Sequence, residues 1–245
     1  MTTIERTAVE RPARTPRDSM RRTALVVGWL FIATYLTSIA AKFAFYPPLF
    51  DTDYVTGPGE DTRVLWGALS ELLLIVANIG TAVAFFSVLR RYHRNLALAF
   101  VTARVMESVF IAVGILSVLT IVTLRQDHAG LADAGSLTLV GDALVALQEW
   151  TFNLGPGFVV GAGNGIILGY LMYRSRLVPR GMAVLGLVGG PLICLSGAAI
   201  VLGVIDAGSA VHNLMVVPEF FWELSLGVYL VVKGFRPAAL DEVAA

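Results

Sequence analysis

The chain has 245 residues, 56% hydrophobic and 15% charged, with no net charge and a mean hydropathy of +0.75. A soluble globular domain is nearer a quarter charged, so an ordinary soluble fold is excluded, and the balanced charge gives no basis for a nucleic-acid partner. Apolar residues gather in long runs rather than in the short alternating segments of a membrane barrel, which predicts an all-α, polytopic membrane helix bundle in contact with a lipid bilayer.

Residues 1–22 are polar and arginine-rich, with Pro12 and Pro16, and read as a disordered lead. Spanning needs about 20 mainly apolar residues, and six stretches qualify: 23–45, 63–89, 96–124, 139–173, 178–204 and 212–232. They make up one transmembrane domain, 23–237, followed by a short tail, 238–245. The first stretch has the arginine-rich front of a cleaved signal, but its apolar run continues through Phe43-Ala44-Phe45 and reads as a retained anchor. Between the first two stretches lie Pro47-Pro48 and Gly57-Pro58-Gly59, the composition of a turn-rich loop.

The fourth stretch is too long for a simple crossing, about 50 Å against a 30 Å hydrocarbon core. Gly155-Pro156-Gly157 interrupts it, which predicts a kink, with residues 139–150 protruding or lying along the interface. Gly157, Gly161, Gly165 and Gly169 form a small-residue face suited to close packing on a neighbouring helix of the same chain. Pro218 predicts a second kink, in the sixth stretch, just before Glu219 and Glu223. Cys194 is the single cysteine, so no internal disulfide can form.

Arginine and lysine cluster before the first stretch, around Arg90-Arg91 and Arg94, around Arg174, Arg176 and Arg180, and at Lys233 and Arg236. The alternate connections hold only Arg63 and Arg125 among several acids. The positive-inside rule then places both termini in the cytoplasm.

Five glutamates and one arginine fall inside the apolar stretches: Glu71, Glu107, Glu149, Glu219, Glu223 and Arg104. Intramembrane ionisable groups are costly and mark functional sites by default. Arg104 and Glu107 are three apart and share a helix face, as an i,i+3 pair does. Glu219 and Glu223 are four apart and repel if both ionise. Five acids against Arg104 and Lys42 predict one or two protonated glutamates, the composition of a proton relay or cation site. Asn78 joins these as a ligand-binding or relay candidate. Its setting, Glu71 before Asn78-Ile79-Gly80, is echoed by Glu149 before Asn153-Leu154-Gly155, too faintly to establish duplication. The bland readings are a register-fixing Arg104–Glu107 pair, a Glu149 above the bilayer, and a Lys42 that snorkels to the outer interface. His93, His128 and His212 form no metal-ligand spacing, and no serine has a histidine at helical reach. No metal, cofactor or catalytic residue is therefore assigned.

Several local patterns resemble the bacterial membrane proteins of the domain of unknown function 4386 family. They are Leu69-Ser70-Glu71-Leu72, Ala103-Arg104-Val105-Met106-Glu107, Glu149-Trp150, Gly155-Pro156, and Ser175 to Arg180 with Gly186. Pro218, Glu223 and the closing Lys233-Gly234-Phe235-Arg236-Pro237 complete them. The resemblance covers most of 23–237. Relatives tend to carry aspartate where this chain has Glu149 and a bulky residue at Gly181, and Glu219 lies outside the shared pattern. The resemblance implies a six-helix protein of the bacterial cytoplasmic membrane and no particular activity. The residues favour a protein that binds or carries a small molecule or cation with proton exchange. A membrane-embedded enzyme acting on a lipid or quinone and a structural or regulatory subunit are the alternatives. Oligomeric state is left open.

Overall fold

The computed structural model describes residues 16–51, 54–57, 59–128 and 134–236. Most of the expected lead (residues 1–15) and the expected tail lie outside the described residues. Residues 16–22, expected in that lead, instead form the first turns of a helix.

Among the described residues the fold is all-α, with six helical spans long and apolar enough to cross a membrane. α1 (Pro16–Ile39) runs on as a π-helical turn, Ala40–Phe45. α2 is Asp61–Leu89 and α3 is Arg94–His128. The fourth span joins α4 (Ala134–Phe152), two π-helical stretches (Asn153–Val159 and Gly161–Leu168) and α5 (Gly169–Ser175). α6 (Arg180–Val201) and α7 (Ala210–Val232) complete the bundle. Large apolar side chains such as Trp29, Leu36, Leu116, Leu195 and Leu214 stand exposed around it, as lipid-facing positions do. The chain is a multi-pass membrane protein.

Each span packs mainly on its neighbours in sequence, and α7 returns to α1, so the six close into a ring. One end carries the cationic connections and is plugged by a core of Phe31, Phe85, Phe100, Leu168, Trp222 and Leu226. At the opposite end Arg125 donates to Asp61 (2.6 Å), at the start of α2, and to the Gly57 carbonyl (2.7 Å).

One expectation changes. The interface-lying alternative for residues 139–150 gives way to a helix alongside α3, where Ser117 Oγ donates to the Leu144 carbonyl at 2.6 Å. Pro156 is accommodated by π-helical geometry. α7 stays α-helical through Pro218, whose missing N–H removes the helical donor to the Leu214 carbonyl. α6 also contains Pro191, which the sequence reading passed over.

The small-residue face is used within the chain. A Cβ at Gly161 would stand 2.7 Å from the Gly190 carbonyl, and one at Gly165 would stand 2.3 Å from Gly190 Cα. Gly169 approaches Leu187 in the same way, whereas Gly157 meets only its own helix. The fourth span and α6 therefore touch backbone to backbone.

Candidate functional site: two polar cavities inside the ring

Counting from the cationic end, Asn78, Arg104, Asn164 and Glu223 each lie nine to eleven residues from the end of their span. At about 1.5 Å per residue this is one common depth, roughly 14–17 Å into the bundle. The short α2–α3 connection sets Asn78 opposite Arg104 for the same reason. The ring therefore brings these polar side chains to one layer.

Asn78, Arg104 and Glu107 form a closed three-way set. Arg104 Nη1 donates to Glu107 Oε2 at 2.8 Å, Arg104 Nη2 donates to Asn78 Oδ1 at 2.5 Å, and Asn78 Nδ2 donates to Glu107 Oε1 at 2.9 Å. All three are buried, and the guanidinium also lies 5.7 Å from the centre of the Phe31 ring. This set neutralises its own charge.

Glu223 accepts a short hydrogen bond from Asn164 Nδ2, and the Asn164 carbonyl accepts the Trp222 indole N–H at 2.9 Å. Glu219, only 2% exposed, has no partner at either carboxyl oxygen, and Asn164 Oδ1 and Arg104 Nε are also buried without one. Its carboxyl sits in a notch between the fourth span and α6. A Cβ added at Gly165 or Gly189 would lie 2.6 or 2.8 Å from Glu219 Oε2, so both glycines make room for it.

These groups face a cavity of about 170 Å³ lined by Asn78, Arg104, Glu107, Glu219 and Glu223, with Tyr35, Leu74, Phe152 and Phe220 among its walls. A second cavity, of about 200 Å³, lies toward the acidic-loop end and is lined by Lys42, Tyr46, Glu71, Gln148, Glu149 and His212, among others. Ser38 and Phe152 line both cavities. Two of the π-helical stretches line these cavities, with Lys42 from the first and Asn153 and Pro156 from the second, and the third holds Asn164, which bonds Glu223. Such stretches occur often at functional sites.

The sequence-predicted residues thus divide between two chambers. Asn78, Arg104, Glu107, Glu219 and Glu223 meet in the inner one. Glu71 does not join them: it is buried in the outer one and accepts from the Tyr46 hydroxyl at 2.7 Å. Glu149 is exposed and lines the outer chamber. Lys42, expected to snorkel, places its ammonium 4.0 Å from the centre of the Phe152 ring. Sequence reasoning missed Tyr46, Asn164 and the Ser196–His212 contact of 2.8 Å. A lone amide amid Gly161-Ala162-Gly163-Asn164-Gly165 carried the same signal as Asn78, whereas nothing in the sequence marked Tyr46.

A multi-pass ring of six helices with buried charged side chains lining a largely apolar cavity is the class that fold and site define. The chain matches the family Domain of unknown function (DUF4386) over residues 26–234, most of its length, and belongs to that family. No curated protein and no solved structure matches it.

Proposed function

We propose that this protein binds a small solute in the inner chamber, reached through the outer one, and exchanges it against a proton held by the Glu219–Glu223 pair. The carrying observation is the Glu219 carboxyl, buried beside a second carboxyl and unpartnered in a cavity. Two carboxylates this close in low dielectric need a proton or a cation between them. The aromatic and aliphatic plug at the cationic end supports entry from the other end. In this reading the membrane is a bacterial cytoplasmic membrane and both termini face the cytoplasm. A reporter active only outside the cytoplasm, fused after Lys233, should then stay silent, and a strong signal there reverses the orientation.

Two measurements test the site. An unbiased metabolite and lipid analysis of purified protein should find a small solute enriched in the wild type and lost in Glu219→Gln. Enrichment of a lipid or quinone instead would favour the enzyme reading. Glu223→Gln keeps shape and volume while fixing the neutral form. Its melting temperature should stay within about 4 °C of wild type, the equivalent of about 1 kcal/mol, while pH-dependent proton release on solute binding disappears. Unfolding as severe as that of an Arg104 deletion would make Glu223 a structural partner.

A further inference from the structure

We propose that the solute of the inner chamber is a small organic monocation: an ammonium group seated between Glu219 and Glu223, with a short apolar body. This rests on the site reading above and names the chemistry that would fill it. An acidic pair alone would not carry the inference. The second observation is the state of Glu219, a 2% exposed side chain that lines the cavity with both oxygens unpartnered.

The donor and acceptor inventory decides the ligand's polar end. Among the described residues, the unpartnered buried side-chain atoms are both oxygens of Glu219, Asn164 Oδ1 and, as the one donor, Arg104 Nε. A buried acceptor left without a donor costs about 1–3 kcal/mol, more for a charged group. Of the residues that own these atoms, Glu219 and Arg104 line the cavity and Asn164 does not, so two acceptors against one donor face it. This calls for a ligand with N–H groups, and an ammonium has three donors and no acceptor. Charge points the same way. Both terminal nitrogens of Arg104 are committed to Glu107 and Asn78, so among the described residues no cation is hydrogen-bonded to Glu219 or Glu223.

The walls decide the rest of the molecule. Leu74, Phe152, Val160, Ile193 and Phe220 line the same space as the carboxyls. A hard metal ion takes six or more oxygen ligands, and no group of three His, Cys, Asp or Glu among the described residues is placed to hold a metal. A volume of about 170 Å³ is close to the ~150 Å³ of an engineered cavity that holds benzene. It would take a body of roughly six to eight heavy atoms. Tyr35, Phe152 and Phe220 are aromatic neighbours of a bound cation in this space, and Lys42 already lies over the Phe152 ring.

The exchange balances: the ammonium enters carrying one positive charge, and one proton leaves the carboxyl pair for water. The other titratable or charged groups facing the pair are Tyr35 on α1, Arg104 and Glu107 on α3, and Cys194 on α6. The outer chamber adds Lys42, Glu71, Glu149 and His212.

The test uses the full-length protein in detergent with three probes of one shape: benzylammonium, benzyl alcohol and benzoate, with sodium and potassium chloride as metal cations. Thermal shift and calorimetry in buffers of different ionisation enthalpy read affinity and proton release. Benzylammonium should bind at least ten-fold more tightly than either other organic probe, with release of about one proton. Glu219→Gln and, separately, Glu223→Gln should each weaken it at least ten-fold. Binding of benzyl alcohol or benzoate equal to or tighter than benzylammonium overturns the ligand class while the chamber remains a solute site. Sodium or potassium competing for the same carboxyls overturns it in favour of a metal cation. If none of the probes binds, both the ligand class and the entry of a benzene-sized body fail. Loss of the solute reading itself would require, in addition, that wild type and Glu219→Gln yield the same metabolite profile.

Discussion

Arg104→Ala should destabilise the detergent-solubilised protein by about 3–5 kcal/mol, the loss expected when one member of a buried ion pair is removed. The reason is local. Both terminal guanidinium nitrogens are committed, one to Glu107 Oε2 and one to Asn78 Oδ1, and these bonds tie α2 to α3 at mid-depth. Alanine leaves Glu107 with only the Asn78 amide and strands the Asn78 oxygen. Lysine should restore less than half of the loss, because a point charge on a single nitrogen cannot reproduce the two-pronged geometry. The double variant Arg104→Met with Glu107→Gln should be more stable than Arg104→Ala, since it removes the unpaired charge as well as its partner. Thermal unfolding of the four proteins measures this. A loss below about 1 kcal/mol for Arg104→Ala, the range of an exposed pair, would mean that water reaches Glu107 and that the set is not a dry structural lock.

The fold was largely legible because a bilayer permits so few solutions. Backbone groups inside hydrocarbon must be satisfied within the segment, so six long apolar runs could become little other than six helices. The Arg104–Glu107 contact was legible because i,i+3 spacing fixes a shared face before any tertiary contact exists. The division into two chambers was not. It depends on depth relative to neighbouring spans, and Glu71, seven residues before Asn78 on α2, lies about 10 Å nearer the acidic-loop end. A small uncertainty in span boundaries hides such a difference. Tyr46 was illegible for another reason: its bond to Glu71 arises because the chain turns back after α1, and no local pattern encodes that return. The π-helical stretches also escaped, since their sequences read as ordinary apolar helix apart from Gly and Pro content. Glu219 stands outside the resembled pattern, yet the notch at Gly165 and Gly189 is shaped around its carboxyl.

Gly190→Ala carries the other large effect, and here two opposing terms must be weighed. In an open helix, alanine gains up to about 1 kcal/mol over glycine in propensity, so substitution within α6 would ordinarily stabilise. At Gly190 the added Cβ would stand 2.6 Å from the Gly161 carbonyl oxygen, 2.7 Å from Ile166 N and 2.8 Å from Gly165 C. All three are backbone atoms, so no side chain can rotate away and α6 must move off the fourth span. Overpacking of this kind costs about 1–3 kcal/mol or more, and relief by helix separation would also disturb the Glu219 notch. The expected result is a net loss of about 2 kcal/mol, roughly 4–8 °C in melting temperature for a chain of this size, together with loss of solute retention. Gly181→Ala supplies the contrast on the same helix. A Cβ there meets nothing within 4 Å, so the propensity gain should stand alone, leaving stability unchanged or slightly raised. The difference between the two variants reads the contact between helices together with the penalty of a Cβ just before Pro191 in helical backbone, which Gly181 does not carry. Equal melting temperatures for Gly190→Ala and Gly181→Ala would mean that α6 and the fourth span are not in backbone contact, and the notch that holds Glu219 would go with it.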